Sequence, residues 1–180
     1  MAKIGRPKIE ITPEQDVKVF NSVEDLFKYR LHKNKPNKHI GKQSIEKAFC
    51  DELESVLHKI LNKVKYRVVS IAREFSLIYG RCDFLVELEN GEYLVIECKA
   101  KNQNTTDNTE ELRFCYAIGQ LQTYRTILIF QYQIPKEKVH LMLATNYDSL
   151  LVHSVIGAEK LDVDYLVYND MGAKYYGARK

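Results

Sequence analysis

Apolar residues recur at helical spacing from about Gln43 to Lys63. Ile45, Phe49, Leu53, Val56, Leu57, Ile60 and Val64 fall in an arc of about 120° when placed at 100° per residue. Glu46 lies inside that arc, whereas Asp51 and Glu54 lie well outside it. An acid on the packed side is unusual. Either it has a task there, or it is a half-exposed first-turn glutamate favoured by the helix dipole. A β-rich run, Tyr66 to Ala72, follows as a first strand, and Arg73 to Gly80 is less regular, a loop or a continued strand. A second long helix is expected from about Glu110 to Gln131. Phe114, Ile118, Leu121 and Leu128 form its core face, with Arg113, Gln120 and Tyr124 on the adjacent flank. Val139 to Thr145 reads as a buried strand, Tyr147 to Ile156 as a short helix and Asp164 to Tyr168 as a last strand. Upstream, Ser22 and Asp25 give a capping-box-like start to a helix over about Val23 to Lys33.

Between the first strand and the second long helix lies the stretch from Arg81 to Lys99, two short strands joined by a tight turn. Side chains alternate along a strand, so Glu97 and Lys99 share a face and Cys98 takes the other. A two-residue Asn90-Gly91 loop would put Asp83 and Glu97 on opposite faces. A three-residue Glu89-Asn90-Gly91 loop, with Gly91 in the left-handed position, puts Asp83 opposite Glu97. The longer loop is the expectation. It gathers Asp83, Glu97 and Lys99 on one face with Leu85, Tyr93 and Val95. Cys82, Phe84, Val86, Leu94, Ile96 and Cys98 then line the other face. Burying two carboxylates beside a lysine is costly, so the cluster calls for a purpose.

Composition narrows the field only modestly. The 180 residues suit one domain with appended ends, and 45% apolar residues suffice for a core. The net charge of +3 names no partner. Lys28 to Lys42 contains six lysines and arginines and no acid, a solvated loop or a strip facing nucleic acid. Gly5-Arg6-Pro7-Lys8 resembles the Gly-Arg-Pro core of minor-groove arms. The domain limits are expected at 1–40 for an arm and short helix, 41–168 for the main domain and 169–180 for a basic, aromatic tail that frays. Cys50, Cys82, Cys98 and Cys115 form no CxxC pair, which argues against zinc. The sequence shows no signal peptide and no apolar run long enough to cross a membrane, so the expected location is intracellular, in the cytoplasm, without membrane partners.

The order acid-bearing helix, strand, Asp strand, Glu-x-Lys strand, helix, strand resembles the PD-(D/E)XK nuclease superfamily over roughly residues 41–145. Asp83 matches its aspartate, Glu97 and Lys99 its (D/E)XK, and Glu46 the glutamate that many members carry on the first core helix. Gly119-Gln120-Leu121-Gln122-Thr123-Tyr124 is similar to the QxxxY motif of RecB-like nucleases and of the N-terminal nuclease domain of type I restriction enzyme motor subunits. Cys82 stands where the motif often has proline. The resemblance implies an α/β, restriction-endonuclease-like αβββαβ core with a mixed central sheet flanked by helices. It also implies a prokaryote or its virus as the source. Some relatives hold an iron–sulfur cluster on four cysteines, but the spacing here differs from theirs, and Cys82 and Cys98 are expected in the core.

The chemistry implied is phosphodiester hydrolysis. Asp83 and Glu97 are hard oxygen ligands suited to Mg²⁺ or Mn²⁺, with the Cys98 carbonyl as a third ligand and Glu46 binding a second metal or positioning a water. Lys99 would hold or activate water and offset phosphate charge, and Gln120 and Tyr124 would orient Lys99 or the phosphate. The reading is therefore a metal-dependent nuclease acting on nucleic acid, DNA before RNA. The alternatives are a nuclease-fold binding or regulatory module, an RNA-directed nuclease, or a cross-strand ion cluster with no chemistry. A homodimer is open, since members of that superfamily often dimerise to cut two strands.

Overall fold

The computed structural model describes residues 44–101, 107–158 and 161–177. The expected N-terminal arm, the helix over Val23 to Lys33, the basic run and the Gly5-Arg6-Pro7-Lys8 motif lie outside the described residues.

Helix α1 spans Ile45–Lys63. It starts where Ser44 Oγ accepts the Lys47 N–H at 3.1 Å, which satisfies one of the first-turn donors. Its buried face is Phe49, Cys50, Leu53, Leu57 and Leu61. Compared with the expected stripe, Cys50 and Leu61 join the face, Val56 and Ile60 form its margin, and Ile45 is exposed. Leu53, Leu57 and Leu61 are fully buried, each contributing about 1.5–3 kcal/mol. Truncating any one to alanine is expected to cost about 2–5 kcal/mol.

Three antiparallel strands follow: β1 (Val68–Leu77), β2 (Gly80–Leu88) and β3 (Tyr93–Lys99). The stretch after Ala72 continues β1 as far as Leu77, with one break at Glu74, whose φ is 49°. Helix α2 (Asp107–Tyr132) leads to β4 (Val139–Thr145), and α3 (Leu150–Ala158) leads to β5 (Asp164–Asn169). The tail expected to fray instead forms β6 (Gly172–Tyr176), paired antiparallel to β5 from Tyr165↔Tyr176 to Asn169↔Gly172. The adjacent Tyr175 and Tyr176 supply β-formers that the basic character of the tail concealed.

The sheet order is β1-β2-β3-β4-β5-β6, with β3, β4 and β5 parallel and the outer pairs antiparallel. This is an α/β fold with a mixed sheet flanked by helices. Helix α1 covers one face with Phe84, Val86, Leu94, Ile96 and Met142. Helix α2 covers the other through Phe114, Ala117, Leu121, Tyr124 and Leu128, packed with Leu85, Val95, Leu141 and Leu143. Ala117 takes the place expected for Ile118, which is only half-buried. Strands β3 and β4 are covered on both faces, which explains why VHLMLAT reads as a continuous apolar run.

Candidate active site

The β2–β3 ladder runs Phe84↔Ile96, Leu85↔Val95, Val86↔Leu94, Glu87↔Tyr93. Leu88 N–H donates to Glu92 O at 2.9 Å and Gly91 N–H to Leu88 O at 3.0 Å, so Glu89, Asn90 and Gly91 are the loop. Gly91 has φ 70°, the left-handed position expected of it. Carried one step further, this register places Asp83 opposite Glu97. At that step the pairing stops, and the Asp83 side chain substitutes for the backbone: its Oδ2 accepts the Cys98 N–H at 2.7 Å. The carboxylate thus sits in the mouth where the two strands diverge.

The other edge of β2 is broken at the same level. Arg73↔Phe84 and Phe75↔Cys82 pair normally, but Glu74 between them takes the left-handed conformation. The alternation of faces therefore reverses across Asp83. Cys82 packs with Phe75 and Leu85 under α2, not with Phe84 under α1, which corrects the expectation that Cys82 and Phe84 share a face. Cys82 Sγ donates to Phe75 O at 3.6 Å.

Glu97 and Lys99 project from the end of β3. Lys99 Nζ lies 2.8 Å from Glu97 Oε1 and 3.5 Å from Glu46 Oε1. Arg113 of α2 completes the chain of charges, with Nη2 3.4 Å from Glu46 Oε2 and Nη1 donating to Ala100 O at 3.3 Å. Glu46 is half-exposed yet aimed inward, so both readings of its position meet in one side chain. Glu97 is only 3% exposed, and its Oε2 finds no donor among the described residues. Burial, then the neighbouring Asp83 charge, push its carboxyl up to about 7, against the pull of Lys99. Burial likewise raises Asp83, opposed by the Cys98 N–H and Lys99. Burial alone would lower Lys99, but Glu97, Glu46 and Asp83 outweigh it and hold its ammonium above the ordinary lysine range.

The hydrogen bonds of Gln120 and Tyr124 run to the start of β2. Tyr124 OH donates to Arg81 O at 2.9 Å, and Gln120 Nε2 donates to Tyr124 OH at 3.4 Å. Gly80, at φ 107°, passes so close that a Cβ there would stand 3.1 Å from the Tyr124 ring. Tyr124 is therefore a strut that fixes the start of β2, two residues before Asp83. Burial and the Glu97 charge raise its phenol pKa.

Two further residues belong to the neighbourhood. Arg113 could be read on the correct flank of its helix, but no pattern in the sequence linked it to Glu46. Cys50 of α1 gave no signal at all. Its Sγ, the Cys98 Sγ and an Asp83 oxygen lie within 4.8 Å of one another. Burial raises the Cys98 thiol well above the ordinary range, so Cys98 is a poor thiolate donor, and the hard oxygens of Asp83 and Glu97 are the better cation ligands.

No known family model matches the chain, and no curated protein is similar to it in sequence. Solved structures do resemble it. EndoMS in complex with double-stranded DNA matches at 18% identity and a TM-score of 0.47, over 74% of this chain and 49% of that one. A repair endonuclease from Pyrococcus abyssi matches at 18% identity and a TM-score of 0.45, over 63% of this chain and 44% of that one. An fdxN element excision controlling factor protein from Anabaena variabilis matches at 19% identity and a TM-score of 0.46, over 69% of this chain and 98% of that one. The chain spans about half the length of the first two. No described helix is long and apolar enough to cross a membrane.

Proposed function

We propose that this chain is a metal-dependent nuclease that hydrolyses phosphodiester bonds in DNA. The observation that carries the reading is Glu97 Oε2, a buried carboxylate oxygen with no donor among the described residues, beside a second carboxylate. Natural proteins rarely leave such an atom without a partner. A cation held by Asp83, Glu97 and the Cys98 carbonyl would supply one, and oxygen donors of this kind suit Mg²⁺ or Mn²⁺. When bound, that cation polarises a phosphate oxygen and acidifies water.

The chain's own residues do the rest. Lys99, held protonated by three carboxylates, offsets charge as it accumulates on the phosphate. Glu46 and Arg113 restrain Lys99 from the α1 and α2 sides. Asp83 keeps the mouth of the two strands open through Cys98, and Tyr124 fixes the strand that carries Asp83. In the reaction, water oxygen bonds to phosphorus and the bond to one sugar oxygen breaks. The products are a phosphate monoester and a hydroxyl that takes up a proton.

The test is incubation of the full chain with Mg²⁺ or Mn²⁺ and linear, circular, single-stranded and branched DNA, with RNA alongside. Lys99→Ala and Asp83→Asn are expected to lose at least about 100-fold in rate, as when a charge stabiliser is removed. Metal-dependent cleavage retained by both variants would sink the site. Binding of DNA without cleavage would identify a nuclease-fold binding module instead.

A further inference from the structure

We propose that a groove beside the candidate site, between the β1–β2 turn and α2, seats an unpaired nucleobase stacked on Tyr79 and Tyr116. The inference rests on the nuclease reading and names the form of substrate the site prefers: DNA with single-stranded or locally unpaired bases next to the cleaved bond.

The groove has a volume of about 440 Å³ and is lined by Tyr79, Tyr116, Gly119, Gln120, Thr123 and Tyr124, among others. One of its walls is Tyr124, which is bonded to the Arg81 carbonyl on the strand that bears Asp83. Three features set it apart from ordinary surface. First, its aromatic walls are open: Tyr79 is 76% exposed and Tyr116 69%. The two-residue turn Ile78-Tyr79 is apolar, where such turns are normally built from polar residues and glycine. Second, Gly119 stands in the interior of α2, where glycine costs about 1 kcal/mol relative to alanine. A Cβ there would meet nothing within 4 Å, so packing does not call for the glycine. Any longer side chain would project into the groove, and glycine keeps it open. Third, Gln120 has one N–H on Tyr124 and retains a second N–H and a carbonyl oxygen, the complementary pair that reads a base edge. Flat aromatic walls with a single amide at the end suit a base, which has a π-face and a hydrogen-bonding rim. They suit a paired duplex poorly, because its bases are already stacked.

The test uses the full chain in EDTA, where cleavage is silent, with single-stranded and duplex oligonucleotides carrying 2-aminopurine. Wild type is expected to bind the single strand and quench its emission. Tyr79→Ala, Tyr116→Ala and the groove-filling Gly119→Leu should each weaken single-strand binding about 5- to 100-fold, in line with the loss of a base–aromatic stack. Duplex affinity should change less than about twofold. Tyr79→Phe and Tyr116→Phe should retain the binding. Unchanged single-strand affinity in the alanine variants overturns the proposal, as does equal loss on both substrates. If Tyr79→Ala instead dissociates a dimer in sedimentation while single-strand binding persists, the groove belongs to a second copy and the proposal also falls. Cleavage in Mg²⁺ separates the two readings. Active wild type with unaffected groove variants removes the groove alone, whereas quenching by an inactive wild type preserves the groove and removes the nuclease.

Discussion

Two carboxylates, each 3% exposed, lie at nearly the same level of the sheet on opposite faces: Asp164 level with Ile96, and Glu97 one rung further along β3. Asp164 faces α1, and its Oδ2 accepts from the phenols of Tyr66 and Tyr175 and pairs with Lys65 at 3.0 Å. Burial and the Asp164 charge push both phenols above the ordinary tyrosine range, so they stay donors. Glu97 has one lysine, two acidic neighbours and an oxygen without a donor among the described residues. The same chemical group is a tie on one face and a liability on the other. Protein stability is a small difference between large terms, so a liability of this kind needs a reason outside the fold, and the proposed cation would be one.

The largest expected effect breaks the satisfied partner. Asp164→Ala leaves the buried Tyr66 phenol and the half-buried Tyr175 phenol without their acceptor and should cost about 3 kcal/mol in urea unfolding, with no change in response to divalent cations. A smaller cost to Asp164→Ala than to Glu97→Ala would remove the contrast. Glu97→Gln should act with the opposite sign and stabilise the metal-free protein by about 1–3 kcal/mol at pH 8. The direction follows from linkage. With the folded carboxyl at about 7 and the unfolded one near the ordinary 4.5, the folded state holds the extra proton between those values. Stability therefore falls as pH rises through that window and is flat above it, and the glutamine variant should lack the decline. Thermal melts at pH 5 and pH 8 measure this, and parallel curves for the two proteins would contradict it.

Metal sharpens the same contrast. Saturating Mg²⁺ or Mn²⁺ at about 100 times the dissociation constant should stabilise wild type by about 2.7 kcal/mol. The shift should be larger at pH 8 than at pH 6, because the ligand must give up its proton. Glu97→Gln should lose most of the shift and Asp164→Asn none of it. The smallest effect belongs to Glu46→Gln. Its pairs with Lys99 and Arg113 are partly exposed, so stability should move by less than about 1 kcal/mol, while cleavage slows as Lys99 loses one restraint.

Much of this arrangement was legible because local chemistry dictated it. Gly91 announced the left-handed loop position, and with it the register that aligns Asp83 with Glu97. The periodicity of α1 located Glu46 on an inward face. What stayed hidden depended on contacts distant in sequence. The reversal of faces at Asp83 comes from a left-handed Glu74, a residue type that seldom signals such a conformation. Arg113 finds Glu46 across 67 positions, and Tyr124 meets a backbone carbonyl 43 positions away. Strand β6 was masked because its side chains advertise charge and aromatic surface, whereas its strand character shows only beside β5.

The bond from Asp83 to the Cys98 N–H has an evolutionary consequence. Asp83 occupies a rung of the ladder, so selection for folding acts on it whatever its chemistry. Glu97 is the reverse, because replacing it is expected to stabilise the metal-free protein. If the proposed function holds, in a lineage released from cleavage position 97 should drift first and position 83 last. An aspartate that survives alone at this hairpin would then record the ancestry of the architecture and no longer its use.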